Sequence, residues 1–426
     1  MRSLVVLTIA ALLVAPASAQ DEGPPPLVLR GVVHVGDGEA LPDGAVVVRG
    51  RRVVAVGAWA DVEGRLGPGA RVVAVPGAEI SPGLVEAMSA AGLTTPGAWA
   101  EQETEVVPHL RVLDEVDLHA PVWRRLAARG ITTVCVTASP ESVIGGRSTI
   151  VRTGGPHGRR VVEAEGAVKA TLGPEAWRRG ARNRGPWGTI DHLTRRPTTR
   201  MGGVWVFRDA FARARAGGLD GPAGTTLAEV LAGDRPLRVQ ARTRGDIETA
   251  LRLTAEAGVT FVLEEATEVR HVLDLVKARG VPVIFGPVFD RPRGWRAFTG
   301  EGDDPALATP AMLHAAGVRF CLTAADREEE DDLRAQAMMA ARYGLDPAAA
   351  LRAVTFAPAT ILGLERTGLL APDRDADVVV WSGPPLEPTS RPLLVLIQGE
   401  AVVDRIPDLP PERTVAPAQP APPQRF

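Results

Sequence analysis

Short strand patterns at the two ends of the chain flank a long central stretch with a different pattern. Near the amino end, β-branched runs separated by Gly-rich or Asp-Gly turns predict strands at 27–33, 45–48, 53–56 and 72–75. Two further runs, at 377–381 and 393–398, predict strands near the carboxyl end. Neither set has enough strands to bury a core alone. We therefore expect residues 27–79 and 364–406 to form one composite β-sandwich domain.

The stretch from 80 to 363 alternates short apolar runs with amphipathic segments. The order strand, helix, strand, helix, strand is seen at 237–239, 247–257, 260–263, 269–279 and 281–285. This order is typical of parallel βα units. The stretch is also long enough for a closed eight-stranded barrel, which typically takes about 250 residues. The predicted fold class is α/β, a (β/α)8 TIM-type barrel plus the small composite β-sandwich, with any chemistry at the carboxyl ends of the barrel strands.

The two termini predict segments that do not belong to the folded core. Arg2, an apolar run at 4–14 and the small residues Ala17-Ser18-Ala19 are typical of a secretory signal peptide. The run is shorter than the roughly 20 residues that span a bilayer. We expect residues 1–19 to be cleaved near Ala19, leaving an exported, periplasmic or extracellular protein without a membrane span. The Pro-rich stretch 407–426 is predicted to be a disordered tail.

The charge pattern and the cysteines exclude some classes of partner and leave one question open. The net charge is −3, and 48 basic and 51 acidic side chains are mixed along the chain, so no nucleic-acid partner is expected. Cys135 and Cys321 each lie in a β-branched or apolar run. An exported chain permits a disulfide, but we expect two buried thiols.

Several segments resemble one known family. Residues 80–87, Ile-Ser-Pro-Gly-Leu-Val-Glu-Ala, resemble a first barrel strand that ends in Pro-Gly-Leu-(Ile/Val)-Asp-Ala-His-x-His, and residues 128–134 with 144–146 resemble the second unit. Residues 169–173 and 197–202 resemble a Lys-x-Ala-x-Gly to Thr-Arg-Met-Gly block. Further similarity lies at 344–347, 357–359, 362–364 and 375–380. Together these segments resemble the amidohydrolase superfamily, in its exported imidazolonepropionase-like branch.

The resemblance implies a metal site and a reaction. Family members hold one or two divalent ions with His-x-His on strand 1, often a carboxylated lysine on strand 4, histidines on strands 5 and 6, and an aspartate on strand 8. The metal makes hydroxide from water and polarises the scissile carbonyl. The implied activity is hydrolysis of carbon–nitrogen bonds in cyclic amides or dipeptides. In this chain the corresponding positions are Met88, Ala90, Lys169, Gln240, Glu265 and Asp326.

Most of these side chains are poor ligands for a zinc-type ion. The Met88 thioether is soft, Ala90 has no donor atom, and the Gln240 amide oxygen is weak. The seven histidines lie outside the ligand pattern: His34, His109, His119, His157, His192, His271 and His314. Only Lys169 and Asp326 keep their family identity, as vestigial catalytic residues. The sequence therefore predicts a degenerate metal site with no cofactor, and a divalent metal only if the chain works as a hydrolase.

The loss of metal charge has an electrostatic consequence. Lys169, Glu265 and Asp326 end strands 4, 6 and 8, which converge on one cavity in this fold. Buried carboxylates need a compensating cation. We therefore predict that the Lys169 ammonium lies within hydrogen-bonding reach of Asp326 or Glu265. Two other interpretations remain: a residual metal held by oxygen ligands, and charged side chains without any role at the barrel mouth.

Three hypotheses about function follow. The first is a catalytically impaired protein that binds a small molecule. The second is a working hydrolase of non-peptide or dipeptide carbon–nitrogen bonds, which metal content would distinguish from the first. The third is a partner subunit that forms a homo-oligomer or pairs with an intact paralogue, which co-purification would reveal. The chain has no Gly-x-Ser-x-Gly elbow and no phosphate loop that would suggest another chemistry.

Overall fold

The computed structural model describes the chain with several gaps. The described residues are 25–67, 69–93, 101, 104–155, 157–177, 196–288, 306–325 and 333–407. The predicted signal peptide, all but the first residue of the predicted tail, and Asp326 lie outside them, so those predictions stay untested.

Strands and helices alternate through the middle of the chain. The strands are β1 Leu27–His34, β2 Ala40–Arg49, β3 Arg52–Ala58, β4 Arg71–Pro82, β5 Leu84–Ser89, β6 Ile131–Val136, β7 Ile144–Arg147, β8 Thr149–Arg152, β9 Val161–Glu163, β10 Val168–Thr171, β11 Leu237–Ala241, β12 Phe261–Glu265, β13 Val283–Phe285, β14 Phe320–Leu322, β15 Val378–Trp381, β16 Pro392–Ile397 and β17 Glu400–Asp404. The helices are α1 Trp59–Glu63, α2 Val122–Ala128, α3 Pro174–Trp177, α4 Arg200–Arg215, α5 Gly221–Ala232, α6 Arg244–Ala257, α7 Leu273–Ala278, α8 Thr309–Ala315, α9 Leu333–Arg342, α10 Pro347–Arg352 and α11 Phe356–Ile361.

Strands from both ends of the chain share one seven-stranded sheet. Its order is β17-β16-β15-β4-β1-β2-β3, with β4 parallel to β1 and antiparallel to β15. Side chains of β15 alternate between two cores, as the period of a strand requires. Val378 and Val380 pack with Leu29 and Val46 inside this sheet domain, whereas Trp381 joins the core of the barrel. The carboxyl-terminal strands thus bury apolar surface on both sides.

The remaining strands form a six-stranded sheet, in the order β14-β13-β12-β11-β10-β7, and a four-stranded sheet, in the order β5-β6-β8-β9. Parallel pairs join β5 to β6 and run continuously from β10 to β14. Between β14 and β5 the backbone of the following segment makes the link, because Leu322 N donates to Ala353 O and Val85 N donates to Val354 O, both at 2.9 Å. The helices cover the outside, as α6 shows: its buried Ile247 and Ala250 face the barrel, and Thr243 caps its amino end.

The third position of the barrel differs from a regular βα unit. Strands β7 and β8, separated only by Ser148, run antiparallel to β10 and to β6 respectively. A parallel connection needs a crossover of about a dozen residues or more. The link between β6 and β7, residues 137–143, is too short for that. The chain therefore reverses direction here.

A glycine at the entrance to the barrel explains part of the Pro-Gly-Leu pattern. Gly83 separates β4 of the sheet domain from β5 of the barrel. A Cβ at this position would lie 2.1 Å from Thr132 Oγ1 on β6. No larger residue fits without moving β6, so glycine allows the two strands to approach each other.

A buried carboxyl lies at the junction of the two domains. Asp377 Oδ1 accepts a hydrogen bond from Gln398 N at 2.7 Å, and its other oxygen is 3.8 Å from Arg152 Nε. Arg152 instead pairs closely with Asp375, at 2.6 Å. Burial raises the pKa of Asp377 to about 6 from 3.8, although Arg152 opposes the shift. The folded protein therefore binds a proton here more tightly than the unfolded chain does.

This raised pKa predicts a dependence of stability on pH. The contribution of Asp377 is fully present below pH 4 and is lost as pH rises through about 6. The loss amounts to about 3 kcal/mol in total. We expect Asp377→Asn to flatten this part of the profile, measured as the unfolding free energy in urea between pH 4 and pH 7. Asp209→Asn, at an exposed ion pair with Arg213, is the control and should leave the profile unchanged. A variant with the wild-type slope would contradict the prediction.

Candidate functional site

The interior of the barrel contains polar side chains in register on neighbouring strands. Lys169 on β10 pairs in register with Arg238 on β11. Thr171, two residues further along β10, pairs in register with Gln240. Gln240 in turn pairs in register with Glu264 on β12. Residues that pair in register on adjacent parallel strands point to the same face of a sheet, as do residues two apart on one strand. The five side chains therefore share one face, and all are buried.

Three of them form a buried ion cluster, which we call the interior cluster: Lys169, Arg238 and Glu264. Lys169 Nζ donates to one oxygen of Glu264 and Arg238 Nε donates to the other. Arg238 also donates to Cys135 Sγ at 2.9 Å and to Ala87 O at 2.7 Å. Burial alone would raise the pKa of Glu264, but Arg238 and Lys169 outweigh it and hold that pKa below its usual value. Glu264 is therefore ionised and paired with two cations.

A second interior carboxyl joins the two strands on either side of the barrel closure. Glu86 on β5 accepts from Thr323 Oγ1, just after β14, and from the backbone N–H groups of Met88 and Ala324, both at 3.0 Å. Burial raises its pKa to about 7, against the effect of these hydrogen bonds. Glu86 forms no ion pair with either cation of the interior cluster. Its contacts give it a structural role in holding β5 beside β14.

A separate ion cluster lies at the carboxyl ends of β11 and β12. Arg242 donates through Nη2 to Glu265 at 3.1 Å, through Nε to the other oxygen of Glu265, and through Nη1 to Glu175. Glu265 has a positive φ of 64°, followed by 53° at Ala266. The backbone turns there as the strand ends. Both oxygens of Glu265 are thus engaged by Arg242 and not by Lys169.

The structure corrects the predicted partner of Lys169. Lys169 Nζ donates a hydrogen bond to Glu264. The prediction that Glu265 could be its partner was wrong. Neighbouring residues of a strand face opposite sides of the sheet. Because Glu264 and not Glu265 pairs in register with Gln240, Glu264 is the residue that faces the interior. Asp326, the other predicted partner, lies outside the described residues.

The remaining predicted positions surround this cluster. Met88 is buried on β5, with Sδ 3.8 Å from Lys169 Nζ. Ala90 follows the end of β5. Gln240 is 2% exposed, and its Nε2 has no hydrogen-bond partner among the described residues. The structure therefore brings Met88, Lys169 and Gln240 together and separates Glu265 from them.

The described residues of this interior do not fit a divalent metal ion. No group of three or more His, Cys, Asp or Glu side chains that could hold a metal occurs in the described part of the chain. The donors nearest the interior cluster are a thioether and an amide, which are weak ligands for a zinc-type ion. Lys169 and Arg238 add two positive charges that would repel a cation.

Sequence reasoning missed Arg238, Glu264, Arg242 and Glu86. One signal was present: Arg238 precedes Gln240 by two residues, so the two must share a face of the strand. Glu86 stands in the motif of the first strand, but its contact with Thr323 spans 237 positions of sequence. The expectation of two buried thiols is confirmed, since Cys135 and Cys321 are free and buried. Burial raises the pKa of both thiols.

The fold is shared with solved structures. An amidohydrolase from Thermotoga maritima is 26% identical, with a TM-score of 0.79, over 89% of this chain and 100% of its own. An ochratoxinase from A. niger has the same fold at 16% identity, with a TM-score of 0.53, over 89% of this chain and 96% of its own. The protein therefore has a barrel of the TIM type, which confirms the predicted α/β fold class.

Two sequence comparisons add to the structural similarity. The amidohydrolase family model matches residues 266–406. Amidohydrolase tasK from Hapsidospora irregularis is 28% identical over 366 residues, covering 77% of this chain; the chain spans only 37% of that relative. The family match, this relative and the solved structure at 26% identity all point to similarity with one superfamily, that of the amidohydrolases. The family match begins just after Glu265, so of the six predicted ligand positions it includes only Asp326.

In the described part of the chain, no helix combines the length and the apolar character needed to cross a bilayer.

Proposed function

We propose that this amidohydrolase relative works without a catalytic metal, is impaired as a hydrolase, and uses its barrel to bind a small molecule. One observation carries the proposal. Lys169, which the sequence resemblance assigns to the position of the family's carboxylated lysine, donates to Glu264 inside a cluster that also contains Arg238. A carboxylated lysine would carry negative charge, whereas the contact with Glu264 requires a positive ammonium. The two states are exclusive.

The cluster also supplies the charge that a metal would otherwise provide. In a low-dielectric interior an unpaired carboxylate is costly. Glu264 is fully buried and has a cation at each oxygen, so it is satisfied without an ion from solution. Replacing these contacts with a divalent cation would leave Lys169 and Arg238 close to a further positive charge.

The proposal predicts the metal content of the purified protein. After exposure to zinc, manganese or nickel and mild washing, we expect elemental analysis to find far less than one ion per chain. An amidohydrolase with intact His-x-His ligands, treated in parallel, controls for loss of metal during washing.

A tightly held stoichiometric ion would overturn the proposal. Hydrolysis of amide or dipeptide substrates that a chelator abolishes would then favour the alternative, a working hydrolase of carbon–nitrogen bonds. Stable co-purification with a paralogue would favour the partner-subunit hypothesis.

A further inference from the structure

We propose that the barrel interior beside the interior cluster binds the carboxylate of a small organic acid. The binding atoms are Lys169 Nζ, Thr171 Oγ1 and Gln240 Nε2, a set that we call the oxyanion pocket. The inference rests on the proposed function, because it requires that no metal fills this place.

Two buried polar atoms on β10 and β11 bear on the inference. Gln240 Nε2 and Thr171 Oγ1 have no hydrogen-bond partner among the described residues, although their side chains are 2% and 0% exposed. Thr171 and Gln240 pair in register on the neighbouring parallel strands β10 and β11. Buried polar groups are nearly always hydrogen-bonded in native proteins, and an exception calls for a ligand or an ordered water. Here two exceptions lie side by side.

Among the described residues, Lys169 has ammonium donors left over at the same place. It precedes Thr171 by two residues on β10 and so faces the same side. An ammonium has three N–H groups. Lys169 gives one to Glu264, and its other contact is the weak acceptor Met88 Sδ at 3.8 Å. An ammonium, an amide NH2 and a hydroxyl together favour a ligand that accepts hydrogen bonds.

The charges of the described residues favour an anion over a neutral acceptor. The interior cluster contains two cations and one carboxylate. Glu86, the other interior carboxyl, forms its hydrogen bonds with Thr323 and backbone N–H groups and makes no ion pair with Lys169 or Arg238. Among the described residues, one positive charge is therefore left without a paired carboxylate in a low-dielectric interior. A singly charged oxyanion would balance it, and a phosphate dianion would exceed it.

Anion titrations of the full-length, chelator-treated protein test the inference. Sodium acetate is added in a buffer free of carboxylates and halides, at constant ionic strength, and the unfolding midpoint and binding heat are recorded. We expect a saturable rise of the midpoint, as for any ligand that binds the folded state alone. Sodium nitrate and sodium chloride, in parallel titrations, should give a smaller response. An equal response to nitrate or chloride would overturn the assignment to a carboxylate.

Two variants locate the site. Thr171→Val and Gln240→Met keep side-chain volume and remove one donor each. Each should weaken acetate binding about tenfold, which corresponds to roughly one hydrogen bond. Thr226→Val is the matched control: its hydroxyl is also buried, but it donates to Pro222 O at 3.0 Å on helix α5, outside the barrel. The control should bind acetate as the wild type does.

The outcomes separate this inference from the proposed function. Metal-free protein without a saturable acetate response, or with a response that survives both variants, would overturn the inference alone. A response that appears only in Asp326→Asn would show that Asp326 balances the charge, and would also overturn it. Stoichiometric metal in the same sample would instead overturn the proposed function.

Discussion

Replacing Glu264 with Gln is expected to lower the free energy of unfolding by about 3–5 kcal/mol, because it strands two buried cations without a counter-charge. Glu264 is the only carboxylate that either Lys169 or Arg238 pairs with among the described residues. The variant keeps the shape of the side chain, so the loss reports charge more than packing. Urea unfolding at pH 7, followed by far-UV circular dichroism, measures it.

A second change should recover part of that loss. In Lys169→Met/Glu264→Gln only Arg238 stays charged, and it keeps its bonds to Ala87 O and Cys135 Sγ. The double variant should therefore be more stable than Glu264→Gln alone, which a double-mutant cycle quantifies. Glu256→Gln, at an exposed pair with Arg208, is the control and should change stability by no more than about 0.5 kcal/mol. If Glu264→Gln were as stable as this control, the prediction that Glu264 compensates two buried cations would be wrong.

A chain that ends at Gly363 is expected to aggregate without a cooperative unfolding transition. The deletion removes β15 to β17, so β4 loses its partner along 79–82 and presents an unpaired edge. It also removes the buried Trp381, whose Nε1 donates to Ser81 Oγ at 2.9 Å, from the core of the barrel. Solubility after expression and a thermal unfolding scan measure the effect.

A shorter deletion provides the control. A chain that ends at Pro407 keeps every described strand and should unfold as cooperatively as the full chain. A soluble fragment of residues 80–363 with a single cooperative transition would show that the barrel does not need the seven-stranded sheet. That result would contradict the prediction.

The two ion clusters lie at different heights in the barrel. In the interior cluster Lys169 and Arg238 compensate the charge of Glu264. At the carboxyl ends of β11 and β12, Arg242 engages Glu265 and Glu175. Each cluster is complete without the other. Glu265→Gln should therefore disturb the contacts of Arg242 and not those of the interior cluster.

The sequence by itself determined the class of fold and the strands on which the site residues lie. Period-two and period-3.6 apolar patterns are local, so they could be read without the structure and predicted strands over 237–239 and 260–263. The family resemblance, also carried by local motifs, placed Lys169 and Gln240 on strands that the structure calls β10 and β11.

Only the tertiary structure decided which charges meet. Lys169 and Glu264 are 95 positions apart, and their contact depends on the register of three neighbouring strands. A shift of one residue in β12 would turn Glu265 inward in place of Glu264, because adjacent side chains face opposite sides. The reversal of β7 and β8 was equally hidden, since the short link after β6 shows no pattern of its own. Local patterns specify periodicity, whereas register and closure depend on the whole barrel packing at once.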